Sequence, residues 1–447
     1  MSSRLESRVR EVLRDRRVRG AAPAAPPVPP DREERLGDRL RRAADLLGGD
    51  VIDAPGGPSI VVERFYPLTH EHGLVRLGEL TGTSLAAAPG LTLLGARPEP
   101  ADRSRPLLFV DLETTGLAGG AGTYAFLVGC GFFERYGFRI QQFLLPGYQH
   151  ERSMLAAVEA RLRTSAALVT YNGRTFDVPM LETRYLFNRL TPPFAEFGHL
   201  DMLPAARRFW RGAPPGEAGW PDGDRCRLTT LERTLFGVRR IGDVPGFEIP
   251  ARYFHYVRTG EAVQLEPVLE HTRLDLLSLA VMTARALRLV AHAPEASSTA
   301  RESFGAGRLL ERAGRDEAAA RCYRDAVERA KWERGPDAGD VRAEALRALA
   351  RHCRRAGRFD EALGAWQALA VERVAPPALR REALEAIAIH HEHRSKNLDE
   401  AHHFARLSLA ERVGLRSMEA GQHRLARLHR KLERLGERQE PSLLPQA

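Results

Sequence analysis

The run LLFVDLET (107–114) constrains this chain more than any other segment, because it sets two carboxylates two residues apart at the end of an apolar strand. Successive side chains of a strand point to opposite faces, so Asp111 and Glu113 leave the sheet on the same side. Two like charges held that close repel each other and lose hydration unless something positive sits between them. Oxygen-only ligands suit a hard divalent cation, Mg²⁺ or Mn²⁺, rather than zinc. Taken alone, such a pair also occurs at ordinary exposed strand ends.

The surrounding pattern defines a fold class. After the Gly-rich turn at 115–124 come the apolar runs AFLVGCGFF (125–133) and FRIQQFLL (138–145), three consecutive strands that read as an antiparallel meander. Helix and strand then alternate: a helix near 150–164, strand ALVTYN (167–172), a helix from about Val178 to Leu190, and strand-like HLDML (199–203) before a further helix. A long irregular stretch over 211–262 ends in a helix beginning near Glu266. Three antiparallel strands feeding βα units predict an α/β fold, a mixed sheet flanked by helices.

Three motifs carry a resemblance. DLETTG (111–116) resembles the first exonuclease motif of the DEDD (DnaQ-like) superfamily, YNGRTFD (171–177) the second, and HTRLD (271–275) the third. GLAGGAGTYAFLVG (116–129) and CRLTTLERTLFG (226–237) are most similar to the YprB-type ribonuclease H-like branch, in which a helical-repeat tail is common. The resemblance implies a ribonuclease H-like domain over 104–292 and a 3′–5′ exonuclease that releases nucleoside monophosphates. It further implies that Asp111, Glu113, Asp177 and Asp275 hold two Mg²⁺ or Mn²⁺ ions, about 4 Å apart, one activating water and the other neutralising the departing oxygen. His271 would deprotonate that water, a task suited to a side chain titrating near neutrality. One departure stands out. His271 and Asp275 are four apart, the spacing of the tyrosine subgroup, whereas the histidine subgroup places its base one residue further away.

Each later motif also has a plain structural reading. Asp177 precedes Val178-Pro179 and would serve as a helix N-cap, with proline in the permitted first turn. His271 and Asp275 would make an ordinary i,i+4 pair on a helix surface. Asn172 reads as a turn residue and Phe176 as core; His199 and Asp201 read as structural, and Arg174, Arg207, Arg208 and Arg273 as solvent-facing. GGAG (119–122) has no GK[ST] after it, so it is a turn and not a phosphate-binding P-loop. His390, His391, His393, His402 and His403 lack carboxylate or cysteine support and read as a hydrated helix face.

Outside this domain, residues 1–31 form a basic, Pro/Ala-rich arm that ends in AAPAAPPVPP and is expected to be disordered. The region 32–103 has an amphipathic helix near Arg35–Leu47 and strand-like SIVVERFYPL (59–68) and LTLLGA (91–96), without a role that can be read. Over 300–437 the chain is helical and repeats itself: Gly314, Ala319, Tyr323 and Ala326 are matched by Gly357, Ala362, Trp366 and Leu369, with a weaker third copy at Ala401 and Ala405. Small residues let paired helices approach and the aromatic fills the groove between them, as in tetratricopeptide repeats, although the period is longer than the usual ~34.

A net charge of +9, carried by arginine apart from Lys331, Lys396 and Lys431, suits a polyanion such as DNA or RNA. The four cysteines form no CxxC pair, which argues against a zinc site or a disulfide framework and for reduced thiols in cytoplasm. No apolar run is long enough to span a membrane, and no secretory signal opens the chain. The expectation is a metal-dependent nuclease acting on nucleic acid, with repeats that offer a protein-binding surface. The alternative is a nucleic-acid-binding or scaffold protein with little catalysis.

Overall fold

The computed structural model describes residues 30–80, 90–98, 102, 104–116, 122–211, 226–334, 338–411 and 415–439, in two units that divide between Arg288 and Leu289. In the first unit α1 (Pro30–Leu47) leads into β1 (Asp50–Ala54) and β2 (Gly57–Pro67). A minimal hairpin, β3 (Glu71–His72) with β4 (Val75–Arg76), and the short α2 (Gly90–Leu94) follow. The meander is β5 (Leu107–Thr114), β6 (Ala125–Glu134) and β7 (Gly137–Leu144). Next come α3 (Glu151–Leu162), β8 (Ala167–Thr170), α4 (Asp177–Phe187), β9 (Gly198–Asp201) and α5 (Met202–Phe209). Helices α6 (Leu228–Phe236), α7 (Ile249–Thr259) and α8 (Glu266–His292) follow.

Seven strands form one mixed sheet in the order β1-β2-β7-β6-β5-β8-β9. β5, β8 and β9 run parallel and the other neighbours antiparallel. This is the α/β architecture expected from the strand and helix pattern. The central strand β6 is buried along its first eight residues, which is why it reads as an unbroken apolar run and not an alternating one.

Two expectations are corrected. LTLLGA is helical over Gly90–Leu94; Leu91, Leu94 and Ala96 are buried, and so short an apolar run has no period to separate helix from strand. The stretch 211–262, expected to be irregular, contains α6 and α7. Its residues 212–225 lie outside those described, as do most of the GGAG turn and residues 1–29. The strand expected at 59–68 does form and pairs with β7 from Ile60↔Leu144 to Pro67↔Gly137, so residues 50–67 extend the same sheet.

A buried ion pair joins α3 to α4. Arg184 donates to both carboxylate oxygens of Glu151 at 2.5 and 2.6 Å, and Asn188 adds a third bond at 2.8 Å. The guanidinium also lies over the Tyr124 ring at 4.1 Å. Removing one partner would strand the other charge in the interior, a loss of about 3–5 kcal/mol.

The second unit consists of paired helices: α9 (Ala300–Arg312) with α10 (Asp316–Arg329), α11 (Ala338–Arg355) with α12 (Phe359–Ala370), and α13 (Pro377–His390) with α14 (Leu398–Ala410), followed by α15 (Leu415–Gln439). Gly314 and Gly357 take left-handed φ values of 69° and 74° in the turns of the first two pairs. Lys396 takes φ 54° in the third, which explains why that copy is faint in sequence. Gly307 allows the close approach that the repeat pattern requires, since a Cβ there would stand 2.7 Å from the Tyr323 ring. Tyr323 and Trp366 are buried at matching positions.

Candidate active site

The site begins on β5. Asp111 pairs with Gly129 and Glu113 with Leu127 on β6, and the register shifts between Glu113 and Thr114, which pairs with Ala125. Thr115 then closes the turn, its hydroxyl accepting from Tyr124 N at 2.9 Å.

Gly129 decides what lies above the carboxylates. A Cβ on it would sit 2.5 Å from Thr272 Cγ2 and 2.9 Å from Leu276 Cδ1, so only glycine lets α8 lie this close to β6. Gln142 on β7 fastens the same helix by donating to Leu269 O at 2.8 Å. With Thr272 and Leu276 facing the sheet, His271 and Asp275 stand beside Asp111 and Glu113. His271 Nε2 lies 3.8 Å from Glu113 Oε1 and 3.4 Å from Asp275 Oδ2.

Asp177 arrives from the carboxyl end of β8, the edge at which parallel strands present ligands. The turn between them needs Asn172 at φ 67°, and Asp201 ties it down by accepting from Asn172 N at 2.8 Å and Arg174 N at 3.2 Å. The N-cap reading of Asp177 is corrected here: Phe176 occupies the cap, and Asp177 is the first helical residue. Phe176 is not core either; it is 60% exposed, directly beside Asp177. Arg273, expected in solvent, is buried against Glu270 and Gln142. His199 and Asp201 have the structural roles anticipated, His199 bonding Thr170 at 2.8 Å and Asp201 capping α5.

The carboxylates sense one another. Burial lifts the Asp111 carboxyl well above its ordinary range, and the charges of Asp275, Glu113 and Asp177 lift it further. Glu113 is pushed up to about 8 by burial, with Asp275 and Asp177 adding to the shift and His271 opposing it. Asp177 rises to about 7, mainly through burial. Side-chain exposures of 13% for Glu113 and 15% for Asp275 describe a recess largely shielded from solvent.

Sequence reasoning missed the cationic wall of this recess. Arg240, in the loop after α6, donates to Asp275 Oδ1, to Glu232 at 2.6 and 2.9 Å, and to Asp243 at 3.3 Å. Asp243 in turn binds His271 Nδ1 at 2.7 Å. Burial works against the arginine's charge, but Asp275 and Glu232 outweigh it and raise the guanidinium's pKa further. His271 likewise resists burial, and Asp275, Glu113 and Asp243 raise its pKa above the ordinary histidine value. One signal was available: Glu232 falls on the Leu228–Phe236 stripe of α6, a charge where an apolar residue belongs. Arg240 and Asp243 sit in a loop without periodicity and gave none.

The donor chemistry suits a hard cation, because the recess gathers carboxylate oxygens whose ionisation is opposed first by burial and then by one another, with Arg240 and His271 offsetting only part of it. As the side chains stand, however, no group of three or more His, Cys, Asp or Glu residues among those described is arranged so that it could hold a metal ion. One oxygen of Asp275 is committed to Arg240.

Comparison with known proteins agrees with the fold. The family model described as RNase_H superfamily matches residues 108–287. A protein of Bacillus subtilis (strain 168), "Uncharacterized protein YprB", is 31% identical over 380 residues, which cover 83% of this chain and 86% of that protein. Among the described residues no helix is long and apolar enough to cross a membrane.

Proposed function

This chain belongs to the YprB family within the ribonuclease H superfamily, and from that premise we propose that it is a metal-dependent nuclease, a 3′–5′ exonuclease acting on DNA or RNA. The observation that carries this reading is that Asp111, Glu113, Asp177 and Asp275, from three separate elements, lie near enough to interact: burial and the other three charges oppose ionisation of Asp111, and Asp275 and Asp177 oppose that of Glu113.

These four side chains would hold Mg²⁺ or Mn²⁺, which supplies charge neutralisation at the scissile phosphate and a more acidic water. The chain's own part is positioning and proton transfer. Asp243 accepts from His271 Nδ1, which leaves Nε2 as the basic nitrogen, turned toward Glu113 and Asp275. Water oxygen bonds to phosphorus, its proton passes to Nε2, and the P–O3′ bond breaks; the departing O3′ takes a proton from solvent to become the new 3′-hydroxyl, and a nucleoside 5′-monophosphate is released. An imidazole already protonated cannot accept that proton, so the base works only when the surrounding carboxylate charge is offset. The helical repeats would receive a protein partner, and the protein would act in the cytoplasm.

A second reading, nucleic-acid binding with little turnover, draws on the commitment of Asp275 to Arg240. End-labelled DNA and RNA oligonucleotides incubated with the full chain, with and without Mn²⁺, decide between them. The expected result is release of labelled mononucleotide from the 3′ end only when Mn²⁺ is present. Binding without any product favours the second reading, and cleavage inside the strand contradicts the exonuclease assignment.

A further inference from the structure

We propose that Arg240 is a resident positive charge of this site and a positioning residue for its chemistry: it keeps one oxygen of Asp275 away from the metal and holds Asp243 against His271. The inference rests on the nuclease reading and deepens it.

Three features of the geometry support it. Arg240 is 6% exposed and all three guanidinium nitrogens are engaged, by Glu232, Asp243 and Asp275. Its anchor is itself anchored, because Glu232 accepts from Ser278 Oγ at 2.6 Å and Ser278 bonds His72 Nε2 at 2.7 Å. Ser278 and Asp275 lie on the same helix, so this chain of bonds fixes the guanidinium against the helix that carries two of the site's side chains. A fork held in this way is pre-organised, and the ammonium of lysine could not span three carboxylates with the same geometry.

Two functions follow. The first is electrostatic. A fixed cation beside Asp275 lowers the negative potential of the recess and leaves Asp275 a single oxygen, Oδ2, for an incoming ion. The second is geometric. Arg240 Nη1 bonds Asp243 Oδ2 while Asp243 Oδ1 bonds the imidazole, so one guanidinium sets both the acid and the proposed base. A misplacement of about 1 Å in either would cost on the order of a hundredfold in turnover.

The test compares Arg240→Met, Arg240→Lys and Glu232→Gln in the full chain, measuring Mn²⁺ affinity by calorimetry without nucleic acid, then kcat and KM. Arg240→Met removes a repelling charge, so Mn²⁺ should bind about tenfold tighter while kcat falls on the order of a hundredfold and KM stays within about threefold. Glu232→Gln leaves the arginine charge less balanced, so Mn²⁺ should bind several-fold more weakly while kcat again falls. Arg240→Lys should restore the wild-type Mn²⁺ affinity but only part of kcat. If Arg240→Met fails to fold, Arg240→Gln takes its place with the same expected sign.

A purely structural ion pair would shift affinity in one direction for both partners. That result, or unchanged affinity and turnover in the arginine variants, overturns the proposal. Wild-type protein that binds no Mn²⁺ overturns the nuclease reading, and this inference with it.

Discussion

Asp111→Asn is expected to abolish hydrolysis, by a factor on the order of 10³ or more, while the metal-free protein becomes more stable. The two effects share one cause. Asp111 lies where burial and three neighbouring carboxylates all oppose its charge. Asparagine keeps the shape and a carbonyl oxygen but removes the charge, so the repulsion that destabilises the empty recess is relieved. The cation then loses a formal ligand, and turnover goes with it. Thermal unfolding in a chelator and turnover on a labelled oligonucleotide read the two effects separately. Loss of activity together with loss of stability would mean that Asp111 serves the fold and not the chemistry.

Divalent cation is expected to stabilise the protein most at alkaline pH. The carboxyls of Glu113 and Asp177 titrate near 8 and 7 in the folded chain, above their ordinary 4.5 and 3.8. Groups raised in this way favour folding fully below about pH 4, and the contribution is lost as pH rises through 7 and 8. The metal-free chain should therefore weaken across that window, by a few kcal/mol at most. An ion bound only by the folded protein restores about 2.7 kcal/mol at a hundred times its dissociation constant. For a unit of this size that raises the melting temperature by roughly 5–10 °C at pH 8, and by less at pH 6. Melting curves at both pH values, with Mn²⁺ and with chelator, check it; a shift independent of pH would detach the cation from these carboxyls.

How much of the site can be read in advance depends on the range of the forces that build it. Asp111 and Glu113 are legible because a strand's period of two fixes their common face without knowledge of anything distant. His271 and Asp275 are legible as a pair through the helical period, and Asp177 through its place after a strand. Gly129 reads as an unremarkable glycine in an apolar run, yet it sets how closely α8 approaches Asp111. Arg240 and Asp243 are hidden for a different reason. Their partners are distant in sequence and their loop has no pattern, so a buried arginine there looks like any of the chain's many others. The pairing of β2 with β7 is likewise invisible locally, since its partners, from Pro67↔Gly137 to Ile60↔Leu144, are far apart in sequence.

Phe176 illustrates the same limit from the opposite side. An apolar residue next to a turn reads as core, but the turn through Asn172 carries it outward and leaves it 60% exposed at the edge of the recess. The helical unit behaves differently, because its contacts are between sequence neighbours. There the small-residue and aromatic spacing seen at Ala319–Tyr323 and Ala362–Trp366 is present in buried form in the helix pairs.

The most direct test is an anomalous difference map from crystals grown in millimolar Mn²⁺. Peaks should lie within coordination distance of Asp111, Glu113, Asp177 and Asp275 Oδ2, with Arg240 still bonded to Asp275 Oδ1. A recess without a peak, or Mn²⁺ bound only elsewhere on the chain, would contradict the assignment of these carboxylates to a metal.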